Sequence, residues 1–473
     1  MKKSLILFMA VMLVGFWLCG CSSDGKTNSE DPGNADPGNS ESSAPGVQQD
    51  SGRENVSSGD ESLRLLSNRY GESACSTENG YYYLTGEVTE LQEGSYGMHL
   101  MYMDFASGHE LYLCSTAGCK HDSLDCPSVF SYDDFPLFST IPFIFDDHLY
   151  ILSREYDNDG STSQNFISFD GDGNSIESRP AALYRANLDG TGRKKIYTFD
   201  ASLTLEDKVI GSNQGIYIIT KKLSTDKNGA QTYTTSSERK LMSLNLSSLS
   251  LTEICSMDFD DGISWNIIGC GQNSFVLCGT DFGRELSQDE IWDDAVYKDL
   301  YNNSHEVYAL LSREGGKPQE LVRLSNGYEH SAQLLNDKLY LSSKENQNIE
   351  VIDLKTGEKK TLCSLPQNLL MDTLGDALCC RGWDLAGDPI WYFVDTKTEE
   401  ITHSPLTILC NGWAIDFRGE TAEDVLFIYD YDATDHKDGS YSIHRYKYAL
   451  ISKNDLFAGK NNYRKIEMIG SGQ

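Results

Sequence analysis

From about residue 62 onward, apolar residues come in short runs, alternating or continuous, and polar turns interrupt them every few positions. That period of two predicts β-strands rather than helices. One strand pattern recurs at Asn79–Tyr83, Asp147–Ile151, Gln214–Ile218, Asn273–Leu277, Asp337–Leu341, Asp376–Cys379 and Asp424–Ile428, which makes Tyr82, Tyr150, Tyr217, Val276, Tyr340, Cys379 and Phe427 equivalent. A second strand follows, clearest in Leu183–Gly190 and Ile349–Gly357, ending in Asp-Gly and Thr-Gly hairpin turns. A third runs through Lys195–Tyr197, Glu253–Cys255, Thr361–Cys363 and Lys465–Met468, and a further apolar stretch precedes each unit, as in Ile141–Phe145 and Trp265–Ile268.

Four antiparallel strands repeated every few tens of residues predict an all-β protein, a β-propeller of seven four-stranded blades, with six or eight as alternatives. Intervals between equivalent positions run from 39 to 68 residues, so the shortest is a bare blade and the longer ones carry insertions. The Asn187-Leu-Asp-Gly-Thr-Gly192 run, with the strands around it, resembles the repeat of TolB-type propellers. That resemblance implies the fold, and binding of a protein or ligand more often than chemistry.

The first residues follow other rules. Lys2 and Lys3 precede an apolar run from Leu5 to Leu18, too short for the ~20 residues a spanning helix needs. Leu18-Cys19-Gly20-Cys21 then resembles a bacterial lipobox. The resemblance implies a signal peptide over 1–20, a diacylglyceryl group on Cys21, and a lipid-anchored place on the extracytoplasmic face of the cell membrane; an ordinary secretory peptide is the alternative. Residues 21–61 are mostly Ser, Gly, Asp, Asn, Glu, Pro and Gln, with no aromatic residue, which predicts a disordered tether. Residues 62–473 remain for the propeller.

Because strand direction alternates within a blade, the loop between its middle strand pair leaves from the same end as the connection to the next blade. Three neighbouring units carry long segments at that end, about 155–180, 223–238 and 281–305, predicting an asymmetric wall for a protein or glycan partner. The third holds one short helix, opened by a capping box at Ser287 and Glu290, with Ile291, Ala295, Val296 and Leu300 at helical spacing. Glu290, Trp292, Asp293 and Tyr297 are its candidate partner-binding residues; packing of the helix on the blade beneath is the competing reading.

With 39 basic and 71 acidic side chains, the chain carries a formal charge of −32 and should repel nucleic acid. Cys114, Cys119, His121 and Cys126 form a C-x4-C-x-H-x4-C array, four donors within thirteen residues that could wrap a structural zinc. The array is similar to a cysteine-histidine element of uncharacterised Gram-positive lipoproteins, and departs from the common C-x2-C zinc pairs. A disulfide among these cysteines and plain reduced packing remain as alternatives. Asp170–Asn174 begins like a calcium loop but lacks its Gly and Glu, and Asp157–Gly160 and Asp430–Asp432 are fainter calcium candidates. Trp383, Trp391 and Trp413 are candidates to stack on sugars or to fill the space between blades. No nucleophile elbow, Walker loop, zincin helix or dinucleotide fingerprint occurs, so no catalytic residue is predicted. A binding lipoprotein is therefore the leading expectation, and an envelope hydrolase or lyase acting on carbohydrate or peptide at the propeller channel is the alternative.

Overall fold

The computed structural model describes residues 62–469 apart from 71–72, 87, 93, 133, 136–138, 155–179, 229–230, 260, 328–329, 344–346, 368, 385, 411–412 and 437–440. It also leaves the side chains of 223–237, Gln288, Trp292, Leu409 and 413–414 undescribed. Residues 1–61, expected as leader, lipidated Cys21 and tether, lie outside these residues, as do the acidic runs at 157–160 and 170–174. Among the described residues, no helix is long and apolar enough to cross a membrane.

The chain forms an all-β propeller with three short helices, α1 (Gln288–Trp292), α2 (Asp294–Asn302) and α3 (Lys453–Phe457). Within each four-stranded sheet the strands pair antiparallel in chain order, as in Thr140–Phe145, His148–Ser153, Ala182–Ala186 and Lys194–Thr198. Five sheets have four strands; two larger ones have six and seven, and a two-stranded ribbon joins Leu409–Cys410 to Trp413–Ala414. A set of uniform four-stranded blades is thus corrected: both large sheets recruit strands from the ends of the described chain. Arg64–Leu65 pairs with Ile210–Ser212, and Glu467–Met468 lies parallel to His109–Tyr112.

Consecutive sheets share apolar cores. Phe143 and Leu183 pack with Ile216 and Leu244, Trp265 and Phe275 with Ile210 and Leu241, and Trp391 and Phe393 with Phe427 and Ala449. The ring closes where Tyr81 and Met103 of the first sheet meet Leu426, Tyr448 and Ile466 of the last. All seven equivalent positions are buried, from Tyr82 to Phe427. Alternation places one side of every strand against a neighbouring sheet, so each sheet is covered only by its neighbours.

The segment 62–70 passes along the axis. Arg64 and Leu65 extend the innermost strand of the third sheet, and Leu63 N–H donates to Gln272 O at 2.8 Å. Arg69 bridges Thr373 and Glu420 on two other inner strands, while Tyr70 Oη donates to Thr373 O at 2.9 Å. A cavity of about 1260 Å³ remains between this segment and the inner strands.

The insertion at 223–238 is no loop. The strands Gly215–Asn228 and Gln231–Asn245 simply continue outward as one hairpin. A second long hairpin, Asp424–Asp435 with Tyr441–Ser452, extends the last sheet at the same end and was not expected. Its Asp, Thr and His content hides the period of two outside the blade, where neither face needs to be apolar.

Candidate functional site

The loops between second and third strands leave from the same end as the connections between sheets. This loop end gathers residues 85–95, 113–139 and 282–304 and both long hairpins. Of the predicted site residues, Cys114, Cys119, His121 and Cys126 come together here, in the connection that follows the strand His109–Tyr112.

The donor atoms of these four residues all lie within 4.8 Å of one another. The chain turns at Gly118, whose φ of 71° suits glycine, and Cys119 N–H donates to Thr116 O at 3.2 Å. His121 adopts φ 56°, a conformation that costs a non-glycine residue free energy and is held by its surroundings. Its carbonyl contacts His99 Nε2 at 2.7 Å, and its ring stacks on Tyr112 with centroids 4.3 Å apart. Nδ1 consequently faces Cys126 Sγ at 3.3 Å. Ser128 Oγ lies 3.1 Å from the same sulfur, and Leu91 and Val129 pack beside the cysteines. Gln92 ties the loop to the neighbouring connection through Asp122, at 3.0 Å by backbone and 2.7 Å by side chain.

Electrostatics differ from donor to donor. Burial pushes the Cys126 thiol up to about 11. Burial also acts against ionisation of Cys114, but hydrogen bonds from Thr116 and from the two neighbouring thiols bring it below the ordinary thiol value. Burial, with His99 close by, lowers the His121 imidazole, which leaves it neutral near pH 7 and a usable donor. Three thiols and a neutral imidazole form a site that could hold a metal ion. Cysteine spacing made the ligands visible in the sequence, whereas His99, Tyr112 and Ser128 carried no such signal. They belong to strands or to a turn, and only folding brings them to the loop.

The other predicted residues take local roles. Glu290 closes the capping box with Ser287 and pairs with Arg284 at 2.6 Å. Asp293 interrupts the expected single helix: its extended backbone ends α1 and its carboxylate caps α2 by accepting from Ala295 and Val296. The Trp292 side chain lies outside the described set. Tyr297 is 38% exposed, between Phe282 and Tyr301. No residue of α2 is fully buried: Val296 and Tyr297 are exposed, while Leu300 and Tyr301 are half-buried. At Asp430 and Asp432, Lys447 Nζ sits 3.1 and 2.7 Å from the two carboxylates, so a lysine fills the place suggested for calcium. Trp391 is a core residue and Trp383 is exposed.

All eleven described cysteines are free thiols. Cys255, Cys270, Cys278, Cys363, Cys379, Cys380 and Cys410 lie within strands.

The axial cavity is lined by Ser67, Asn68, Asn213, Gln333 and Thr373, with Asp146, His148 and Arg185 at the end that carries the short turns. Leu63, Leu65, Phe145 and Leu334 line it as well, so the wall is mixed polar and apolar.

No protein family and no curated protein matches the sequence. Solved structures resemble it at low identity. A puromycin hydrolase mutant is 13% identical with a TM-score of 0.44, over 85% of this chain and 54% of its own. An oligogalacturonate lyase solved with manganese is 14% identical with a TM-score of 0.41, over 84% of this chain and 92% of its own. Acylaminoacyl peptidase from Pyrococcus horikoshii is 10% identical with a TM-score of 0.44, over 86% of this chain and 53% of its own. The chain thus spans about half the length of the first and third of these proteins, and nearly all of the lyase.

Proposed function

We propose that this protein is a lipid-anchored, extracytoplasmic propeller that binds a protein partner at its loop end. The carrying observation is the distribution of exposed large apolar side chains. Among the described residues, Val88, Tyr96, Leu124, Ile291, Val296, Tyr297, Leu370, Trp383, Tyr441 and Tyr446 are exposed and lie in or beside loop-end connections and hairpins, whereas Ile401 follows a short turn at the other end and Ile469 lies beside the outer edge of the first sheet. The short turns at the other end, such as Asp353–Gly357 and Asp395–Glu399, are polar. Clustered exposed apolar groups mark interaction surfaces. Aliphatic residues stand among the aromatics, which favours a protein over a glycan, since sugar rings stack on aromatic faces. The charge of −32 favours a partner with a basic or neutral surface. The lipobox at Cys21 supports the anchor, and zinc is the metal proposed for the cysteine-histidine array.

Cross-linking on intact cells, followed by recovery of the full chain, tests the partner reading. Deletion of 287–301 should abolish a specific protein adduct while the ring keeps its melting temperature. An unchanged adduct, or binding confined to neutral glycans on an array, would overturn it. Cys21→Ala should move the protein from the membrane fraction to the medium.

A second reading is favoured by the axial cavity: an envelope hydrolase or lyase acting on carbohydrate or peptide in the channel. Screening the chain against oligosaccharides and peptides separates the two, because reproducible turnover supports only the second.

A further inference from the structure

We infer that Cys114, Cys119, His121 Nδ1 and Cys126 form a closed structural zinc site that pins the 113–128 connection to the loop end. A disulfide would require two of the three sulfurs to approach each other and would leave the third sulfur and the imidazole without a task. Here four donors converge instead, with every pair within 4.8 Å. Zinc bonds of ~2.3 Å to sulfur and ~2.0 Å to nitrogen demand edges of roughly 3.5–3.8 Å, so the longest edge has to contract by about 1 Å. The segment between Cys114 and Cys119 turns at Gly118 and is exposed over 115–118, so no packed core opposes that movement.

The ligand set is complete without water, so the site holds an ion and leaves no position for a substrate. Zinc takes the three sulfurs as thiolates, so its binding is accompanied by proton release. Three thiolates and one imidazole are soft and borderline donors, which select zinc over calcium or magnesium. Support lies around the ligands. Ser128 approaches the Cys126 sulfur at 3.1 Å, Tyr112 stacks on the imidazole, and His99 holds the His121 carbonyl at 2.7 Å. Such surrounding groups orient metal ligands and tune affinity. Through Asp122 and Gln92 the loop is tied to the 85–95 connection, so the ion would stiffen the floor from which Leu124 and Tyr96 project. The zinc site stands whether or not the partner or the anchor reading holds.

The test uses the full chain purified under reduction without added metal. Elemental analysis should find one zinc per chain. Replacement by cobalt should produce the visible bands of a tetrahedral ion and a sulfur-to-cobalt charge-transfer band. Cys119→Ser should weaken metal affinity more than the roughly 10–100-fold expected for Ser128→Ala, and both variants should keep the melting temperature of the ring. Amide exchange in 113–128 should slow on metal addition while the ring strands stay unchanged. An intact mass two hydrogens below the fully reduced chain, with the loss mapped to two of these cysteines in protein isolated without reductant, would overturn the proposal. So would reduced, folded protein that takes up neither zinc nor cobalt.

Discussion

Ring closure is tested most directly at Glu110. Its carboxylate is 2% exposed, on the outermost antiparallel strand of the first sheet, and its partners come from both sides of the seam. Tyr83 of the same sheet donates its hydroxyl, and Arg445 of the last sheet donates from Nη2 at 2.6 Å. Replacing Arg445 by Met removes the charge across the seam and strands a buried carboxylate. Breaking a fully buried pair costs about 3–5 kcal/mol. Arg445 is itself 36% exposed, so water can reach the gap, and Tyr83 remains as a donor; the expected loss falls to about 2 kcal/mol. Urea unfolding of Arg445→Met, Glu110→Gln and the double variant measures both the loss and the coupling. Contact across the seam should produce an interaction energy of at least about 0.5 kcal/mol. An Arg445→Met loss below about 0.5 kcal/mol, or strictly additive variants, would refute the view that this pair helps hold the ring shut.

Two further outcomes follow from the packing and the caps. Phe427→Ala deletes a fully buried ring that meets Tyr463 edge-on at 5.5 Å, and should cost about 3–5 kcal/mol in the same unfolding assay. The Arg284 guanidinium, then the Ser287 amide and hydroxyl, hold Glu290 down to about 2, against an ordinary value of 4.5. Because the folded value is depressed, the cap's contribution is complete above pH 4.5 and is lost as pH falls toward 2. Amide exchange in α1 should therefore accelerate through that window, and Ser287→Ala should make it fast at every pH. Exchange independent of pH between 5 and 2, after correction for intrinsic rates, would contradict the assignment.

Strand identity was legible because period-two alternation is a local property: Tyr150, Tyr217 and Tyr340 stand in the same place in their repeats and are buried in the same place in their sheets. The capping box at Ser287 was legible for the same reason, as was the spacing of Cys114, Cys119, His121 and Cys126. The break at Asp293 was not, since one side chain can continue a helix or cap the next. Lys465–Met468 reads as a single strand, yet Tyr463–Lys465 pairs with the last sheet and Glu467–Met468 crosses to the first. The choice depends on Ile466 finding the core formed by Tyr81, Met103 and Leu450.

From residue order alone came the sheet-forming repeat, the acidic charge, the spacing of the cysteine-histidine array and the run that resembles a lipobox, all of them features of neighbours along the chain. Tertiary structure alone decided that 62–70 runs through the axis, that His99 and Ser128 support the cysteine loop, and that most of the exposed apolar side chains gather at one end. These facts rest on contacts between segments tens to hundreds of residues apart. Which distant strand edge a segment meets is set by competition among many similar edges, and the closed ring resolves that competition by leaving each sheet face a single neighbour to bury.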